Sequence, residues 1–531
     1  MTNAHHEDEE AQPAAVRRDR AAPAGASATD GGGTLRLGTA SGRWTILATV
    51  LGSGLAALDG TVVGIALPAI GRQFHADVSS LQWVVTGYTL SLAGLLLLGG
   101  ALGDRFGRRR VFVVGVIWFA AASLLCGIAP SSGVLVGARI LQGVGGALLT
   151  PGSLAILEAT FVPQDRSRAI GAWSGFGGVA SAIGPFLGGW LIEAVSWRLV
   201  FLINLPLAVA VTAIAARHVP ESRDETVTGR LDYPGAALIT LGLTGLTFGL
   251  IQAGSSGWTA PAVLGALGGG VVLLGLFLVA ESRSAHPMLP LGLFRSRQFS
   301  AANAVTFAVY AALSGGLFLL PVELQVVAGY SPIASGAALL PVTFIMLALS
   351  ARSGALATRI GPRLQMSVGP MVIAIGMVML TRIGPTGTYL TTVLPGVVVY
   401  GLGLAINVAP LTSTVLAAAP AEHAGVASAV NNDVARTAGL IAVAVLPVAA
   451  GITGTAYLDP TRLDHGFTTA LLIAAALCVA GGLLAAATIR NPAKARRPGL
   501  LVPTGLHCAL DGPPLRGSTS VGAASAGAAA T

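Results

Sequence analysis

A handful of ionisable side chains in this 531-residue chain fall inside long apolar runs, where no water solvates them. Asp59 stands in Leu58-Asp59-Gly60-Thr61-Val62-Val63-Gly64-Ile65-Ala66-Leu67-Pro68. A carboxylate buried there costs several kcal/mol unless it is paired or protonated. Asp59 is therefore a candidate to gain and lose a proton; the alternative is a structural hydrogen bond to a neighbouring helix. Arg139, in Ala138-Arg139-Ile140-Leu141-Gln142-Gly143, must likewise find a partner. Gln142 and Gly143 follow at i+3 and i+4, so the arginine shares its face with an amide and a gap that water or a side chain can fill. An arginine beside a carboxylate favours its ionised form, and drawing the arginine away favours proton uptake. Pure scaffolding by Arg139 is the other reading.

Asp433 and Arg436 are spaced i, i+3 in another apolar run, beside Asn431 and Asn432. They could form an ion pair, and a silent pairing of Asp433 with Arg436 is favoured over a second titrating site. Glu323, in Leu320-Pro321-Val322-Glu323, either faces the outer mouth of a cavity and attracts cationic cargo or is an interfacial carboxylate in contact with water. Gln142, Glu323, Asn432, Asp433 and Arg436 are together the candidate lining of a substrate cavity.

The elements that hold these residues are membrane helices. Only 10% of the chain is charged and 53% is hydrophobic, with 71 glycines, whereas roughly a quarter of a soluble domain is charged. A hydrocarbon layer of ~30 Å needs about 20 apolar residues per crossing. Runs of that kind begin near 45, 81, 111, 134, 168, 198, 233, 260, 299, 332, 365, 388, 425 and 467, giving fourteen expected helices; the run from 425 is the most polar. With both termini inside, 25 of the 31 Arg and Lys fall on the cytoplasmic side and four outside, with Arg139 and Arg436 inside spans. This is the asymmetry that orients membrane proteins. The net charge of +8 is thus spread over short loops, with no basic face for nucleic acid to follow. Lys494, the only lysine, follows Ala493, which excludes the Gly-Lys-Ser/Thr of a phosphate-binding loop. Cys126, Cys478 and Cys508 have no paired spacing, so neither a disulfide framework nor a metal site is expected.

Two loops repeat one another. Gly100-Ala101-Leu102-Gly103-Asp104-Arg105-Phe106-Gly107-Arg108-Arg109-Arg110 returns as Gly354-Ala355-Leu356-Ala357-Thr358-Arg359-Ile360-Gly361-Pro362-Arg363. Gly99, Gly100 and Gly103 suit close helix packing. Asp104, at a helix end whose dipole disfavours it, needs a neighbouring arginine or another helix N-terminus. The plainer reading is a positive-inside loop. At these residues the chain resembles the major facilitator superfamily, whose loop after the second helix reads G-x-L-x-D-R-x-G-R-R. The copies follow the second and tenth helices, which resembles the fourteen-helix drug:proton antiporter branch, with two helices inserted between two six-helix halves.

Further signatures match. The stretch from Leu58 resembles the first-helix signature, with Gly64 where the family carries Asn. Arg139, Gln142 and Gly143 resemble the R-x-x-Q-G signature linked to proton coupling. Gly184-Pro185-Phe186-Leu187-Gly188-Gly189 resembles the G-P-x-L-G-G of the antiporters, which most uptake members lack, in a helix that proline and glycine allow to flex. Trp197, Arg198, Phe201, Asn204 and Pro206 match the start of the sixth helix, and Asn432 with Arg436 an N-x-x-x-R pattern of which Asp433 is no part.

The resemblance implies an all-α integral membrane protein of the major facilitator fold. The expected organisation is a disordered cytoplasmic tail over 1–42, an N-terminal bundle over 43–218, two extra helices and their loops over 219–297, a C-terminal bundle over 298–489 and a second tail over 490–531. The expected function is proton-coupled antiport, exporting a hydrophobic drug or antibiotic across the bacterial plasma membrane by alternating access; the second reading is an uptake permease for a small metabolite. Asp59 and Arg139 would couple protons, and Gly100, Asp104, Arg105, Gly107 and Arg108 would gate the cytoplasmic side. No catalysis, cofactor or metal is expected, and the partners are a small hydrophobic substrate, protons and lipid, with the chain acting as a monomer.

Overall fold

The structure, a computed structural model, describes residues 35–223, 231–284, 287–420 and 424–491. Among these, fourteen helices are long and apolar enough to cross a membrane. They are α1 (Ala40–Phe74), α2 (Val78–Phe106), α3 (Arg108–Gly127), α4 (Ser132–Thr160), α5 (Pro163–Ala194), α6 (Leu199–His218), α7 (Tyr233–Ser256), α8 (Pro261–Arg283), α9 (Arg297–Val326), α10 (Pro332–Ile360), α11 (Pro362–Leu380), α12 (Tyr389–Ala417), α13 (Gly425–Ala449) and α14 (Pro460–Thr488). The polar run from 425 is helical like the rest. Apart from 35–42, 490 and 491, the tails expected over 1–42 and 490–531 lie outside the described residues. Residues 35–39 are already paired: Leu35 N–H donates to Thr160 O at 2.9 Å, and Val162 N–H donates to Leu35 O at 3.1 Å. This single bridge is the sole β pairing among the described residues.

Local chemistry sets the helix ends. Thr39, Asp77, Ser131, Asp232, Ser296, Ser331 and Asp459 each accept a first-turn N–H with the side chain, which satisfies donors that a helix cannot use itself. Prolines open α5, α8, α11 and α14, where a missing N–H costs nothing. The two repeated loops reverse the chain in one residue each: Gly107 has φ 109° and Gly361 φ 86°, and a helix resumes at the next residue in both. An L side chain is strained at such a φ. In the first copy, Gly99 approaches α4 so closely that a Cβ would lie 3.3 Å from Leu148 Cα, while a Cβ on Gly103 would meet nothing nearer than 3.9 Å.

α6 is broken after its first turn, into Leu199–Leu202 and Asn204–His218. Pro206 has no N–H for the carbonyl of Leu202, which loosens the helix there. α10 has a similar break at Leu339, and α12 begins with one wide turn over Tyr389–Val393.

α1–α6 form one half and α9–α14 the other, with α7 and α8 packed on each other. Glycines set that pair: a Cβ on Gly270 would lie 2.7 Å from Leu246 N. α7 also packs against α2 and α13, where Leu90, Leu243 and Leu440 form an apolar cluster drawn from all three helices. Side chains such as Val209, Leu264, Val272 and Phe344 stay exposed, as lipid-facing groups do.

Hydrogen bonds that join the halves lie at the end where α1 turns into α2. Gln82 Nε2 donates to Val443 O at 2.7 Å, Gln325 Nε2 to Ile65 O at 3.0 Å, and Tyr457 Oη to Ala76 O at 2.6 Å. Val78 N–H donates to Gly454 O at 2.9 Å. Burial pushes the Tyr457 hydroxyl above its ordinary range, with Asp77 adding and Arg72 opposing, so it remains a donor.

Candidate functional site

The first half encloses a polar cluster drawn from five helices. Asp59 of α1 is wholly buried, and its Oδ2 is ion-paired to Arg139 NH1 of α4, itself 1% exposed. Asp59 Oδ1 accepts from Gln142 Nε2 at 2.8 Å and from Asn204 Nδ2 at 3.3 Å. Arg139 NH1 also donates to Gln142 Oε1, and Nε donates to Val84 O of α2 at 3.0 Å. Ser123 Oγ of α3 accepts from Gln142 at 2.8 Å and from Asn204 at 3.2 Å. The guanidinium carbon lies 4.3 Å from the Tyr88 ring centroid and 5.6 Å from that of Phe201, an arrangement that adds cation–π attraction in a desolvated site. The carboxylate thus has three donors, and the arginine reaches the carboxylate, an amide oxygen and a backbone carbonyl, partners of the kind a buried pair requires.

The gap expected beside Arg139 at Gly143 is filled by α2, because a Cβ on Gly143 would lie 3.1 Å from Leu92 N. Ser91 Oγ donates to Ile140 O at 2.8 Å across the same contact. Gln142 is fully buried and belongs to the ion-pair cluster rather than to a cavity lining. Ser123, Tyr88 and Asn204 are cluster members that the sequence reading did not place in the site. Asn204 left a signal, a lone amide in Val200-Phe201-Leu202-Ile203-Asn204-Leu205-Pro206; the break at Ile203 turns that amide toward Asp59.

One residue beyond Asp59 the surroundings change. Gly60 is exposed, with nothing within 4 Å of a built Cβ. That opening is bounded by α9, where a Cβ on Gly64 would meet Pro321 Cγ at 4.0 Å, and by α5, where Gly184 lies against Thr61 and Leu58. It therefore lies between the halves, and the Asp59 side chain points the other way, into its own half. The glycines of α1 divide accordingly: Gly52 packs on the Phe112 ring of α3, whereas Gly60 and Gly64 look toward the second half.

The Gly184–Gly189 segment is a contact surface. A Cβ on Gly188 would lie 2.8 Å from Val62 Cγ1 of α1, and one on Gly189 would lie 2.6 Å from Ile333 Cα of α10. Gly336 of α10 reciprocates, 2.6 Å by the same construction from Pro185 C. α5 runs unbroken through Pro185.

At the opposite end, Asp104 Oδ1 accepts from Arg108 Nε at 2.8 Å and lies 2.8 Å from Arg108 NH2. Arg109 and Arg110 each stand 3.6 Å from Glu221, which follows α6, and Arg108 N–H donates to Ser222 O at 2.8 Å. The loop is thereby fastened to its own half. Arg105 lies over the Phe106 ring, 5.6 Å from its centroid, and Gly100 faces Pro151.

Two expectations for the second half change. Asp433 and Arg436 make no ion pair, and Asp433 Oδ1 and Arg436 Nε are both shielded from solvent without a hydrogen-bond partner. At i, i+3 their side chains stay beyond ion-pairing distance, although Arg436 still acts on Asp433 through space. Asn432 is exposed, its Nδ2 donating to Ser428 O at 3.0 Å. Glu323 neither lines an outer mouth nor touches water: it is 0% exposed.

The Major Facilitator Superfamily profile matches residues 49–444. A tetracenomycin C resistance and export protein of Streptomyces glaucescens is 38% identical over 76% of this chain and 75% of its own length. A puromycin resistance protein of Streptomyces alboniger is 36% identical, covering 83% and 90% respectively. The multidrug efflux pump LfrA of Mycolicibacterium smegmatis is 33% identical, covering 82% and 85%. Among solved structures, the POT family transporter PepTSo has a TM-score of 0.61 at 14% identity, over 83% of this chain and 97% of that one. The human organic anion transporter MFSD10 has a TM-score of 0.54 at 16% identity, over 84% and 100%. Fourteen membrane helices in related halves, the repeated glycine reversals and the matched profile carry one conclusion: the chain belongs to the major facilitator superfamily and is a multi-pass membrane transporter rather than an enzyme.

Proposed function

We propose that the chain exports a hydrophobic drug or antibiotic in exchange for protons, by alternating access of a cavity between its two halves. The observation that carries the coupling is the wholly buried Asp59–Arg139 pair, one residue from the opening at Gly60. An acid held in its ionised form by an arginine takes up a proton when that arginine is drawn aside. A rocking motion that shifts α4 against α1 would do this, letting Asp59 exchange its proton for cargo. Export rather than uptake is supported by the resistance and export functions named for relatives at 33–38% identity and by the resemblance of Gly184–Gly189 to the antiporter signature.

Asn432, Asp433 and Arg436 supply the polar lining for the cargo. With both termini on the cytoplasmic side, the hydrogen-bonded end is the outer one, and this conformation is closed outward. Asp104, Arg105 and Arg108 would then latch the inner end in the alternate state, with Gly100 and Gly107 permitting the close approach. The chain works as a monomer in the bacterial plasma membrane.

The test is Asp59→Asn, which keeps the side-chain shape and removes the titrating group. Reconstituted in vesicles with an imposed pH gradient, the variant is expected to fold and to lose gradient-driven efflux. Efflux at the unmodified rate would refute the assignment.

A further inference from the structure

Glu323 lies near the end of α9 that faces the α1–α2 turn, two residues past Pro321 and two before Gln325, whose amide grips Ile65 of α1. It is fully buried, and neither carboxyl oxygen receives a hydrogen from any donor. Leu320, Leu324, Leu463 and Phe467 belong to the apolar cluster of this region. A lone carboxylate in such surroundings would be severely destabilised. The ionisable group across from it is another acid: α9 and α14 pack antiparallel with Gly316 against Leu471, which brings Asp464, in the first turns of α14, level with Glu323.

The surrounding charges offer no relief. On α14, Arg462 is turned to Asp459 at 3.5 Å and both are largely exposed, as is His465. α1 contributes only the Ile65 carbonyl, already taken by Gln325. On α13, Asp433 and Arg436 sit in the opposite half of the helix.

We propose that Glu323 and Asp464 share one proton, forming a second protonatable site in the half that lacks Asp59. Two carboxylates in contact repel, and a single proton turns the repulsion into a charge-assisted hydrogen bond. The pair then carries one negative charge instead of two, and its two titrations belong to the pair as a unit. The half-buried Asp464 meets water, so it is the port through which the proton enters, while Glu323 stores it against the α9–α1 contact. Its role in transport rests on the proton coupling proposed above, because separating α9 from α1 would wet Glu323 and release the proton.

Infrared difference spectroscopy of the purified transporter, with no gradient present, reads the proton directly. At neutral pH the carbonyl-stretch band of a buried protonated carboxyl is expected, lost in Glu323→Gln and shifted in Asp464→Asn. Asp59→Asn should leave that band intact, so failure of the Asp59 assignment and failure of this pair give separate signatures. The same band in wild type and Glu323→Gln, or no such band in wild type, would overturn the proposal. Should Glu323→Gln fail to fold, a band that does not move in Asp464→Asn overturns it equally.

Discussion

Asp59 and Asp433 are both acids within membrane helices, one in each half, and they are treated in opposite ways. Asp59 is held by a guanidinium and two amides. Asp433 is three residues from Arg436 and makes no pair with it. Spacing does not separate these cases, because an i, i+3 pair on one helix is easier to arrange than a contact between α1 and α4. The difference lies in what the neighbouring helices supply. In the first half Ser123, Asn204 and the Val84 carbonyl complete the network around the pair; in the second, α13 turns Asn431 to Asn303 and Thr306 of α9 and leaves Asp433 Oδ1 and Arg436 Nε without partners. A closed network stores a charge, whereas unused hydrogen-bonding capacity is available to cargo.

The largest effect expected from breaking this contrast is at Arg139. Arg139→Ala strands a buried carboxylate, and removing one partner of such a pair costs about 3–5 kcal/mol. Thermal unfolding in detergent should show the loss, and Asp59→Asn in the same chain should restore much of it. Failure of the second change to rescue would mean that Asp59 does not depend on Arg139. Asn204→Ala removes one of three donors and leaves Ser123 short of a partner, worth about 1–3 kcal/mol. It should lower the melting temperature less and slow efflux without abolishing it. Asp433→Asn is the mildest for the fold: it removes a shielded carboxylate that makes no hydrogen bond, so no loss of stability is expected. Its effect should appear as an altered order of preference among cationic and neutral cargos in vesicle efflux; an unchanged order would remove Asp433 from the lining.

Much of the architecture was legible because membrane helices announce themselves by length and apolarity. The observed starts fall close to those read from the runs, and the farthest off is α14, expected near 467 and beginning at Pro460. Its first turns carry Thr461, Arg462, Asp464 and His465, which disguise a helix that Asp459 caps. The Asp59–Arg139 partnership was legible because each needed a counterion and few were on offer. Asn204 and Ser123 were not, since a neutral polar residue in an apolar run has many possible partners and only the break in α6 selects one. The silent Asp433–Arg436 pair failed for a related reason: sequence spacing gives proximity along a helix but not side-chain direction.

Of the two extra helices, α7 touches both halves at once. Gly94 of α2 lies against Thr240 of α7, and Gly254 of α7 lies against Val448 of α13. No rigid rod can stay fixed to two bodies that rotate relative to each other. Any swing of the halves must therefore slide or tilt α7 along one of these seams, which makes the inserted pair a brake whose friction depends on the small residues at Gly94 and Gly254.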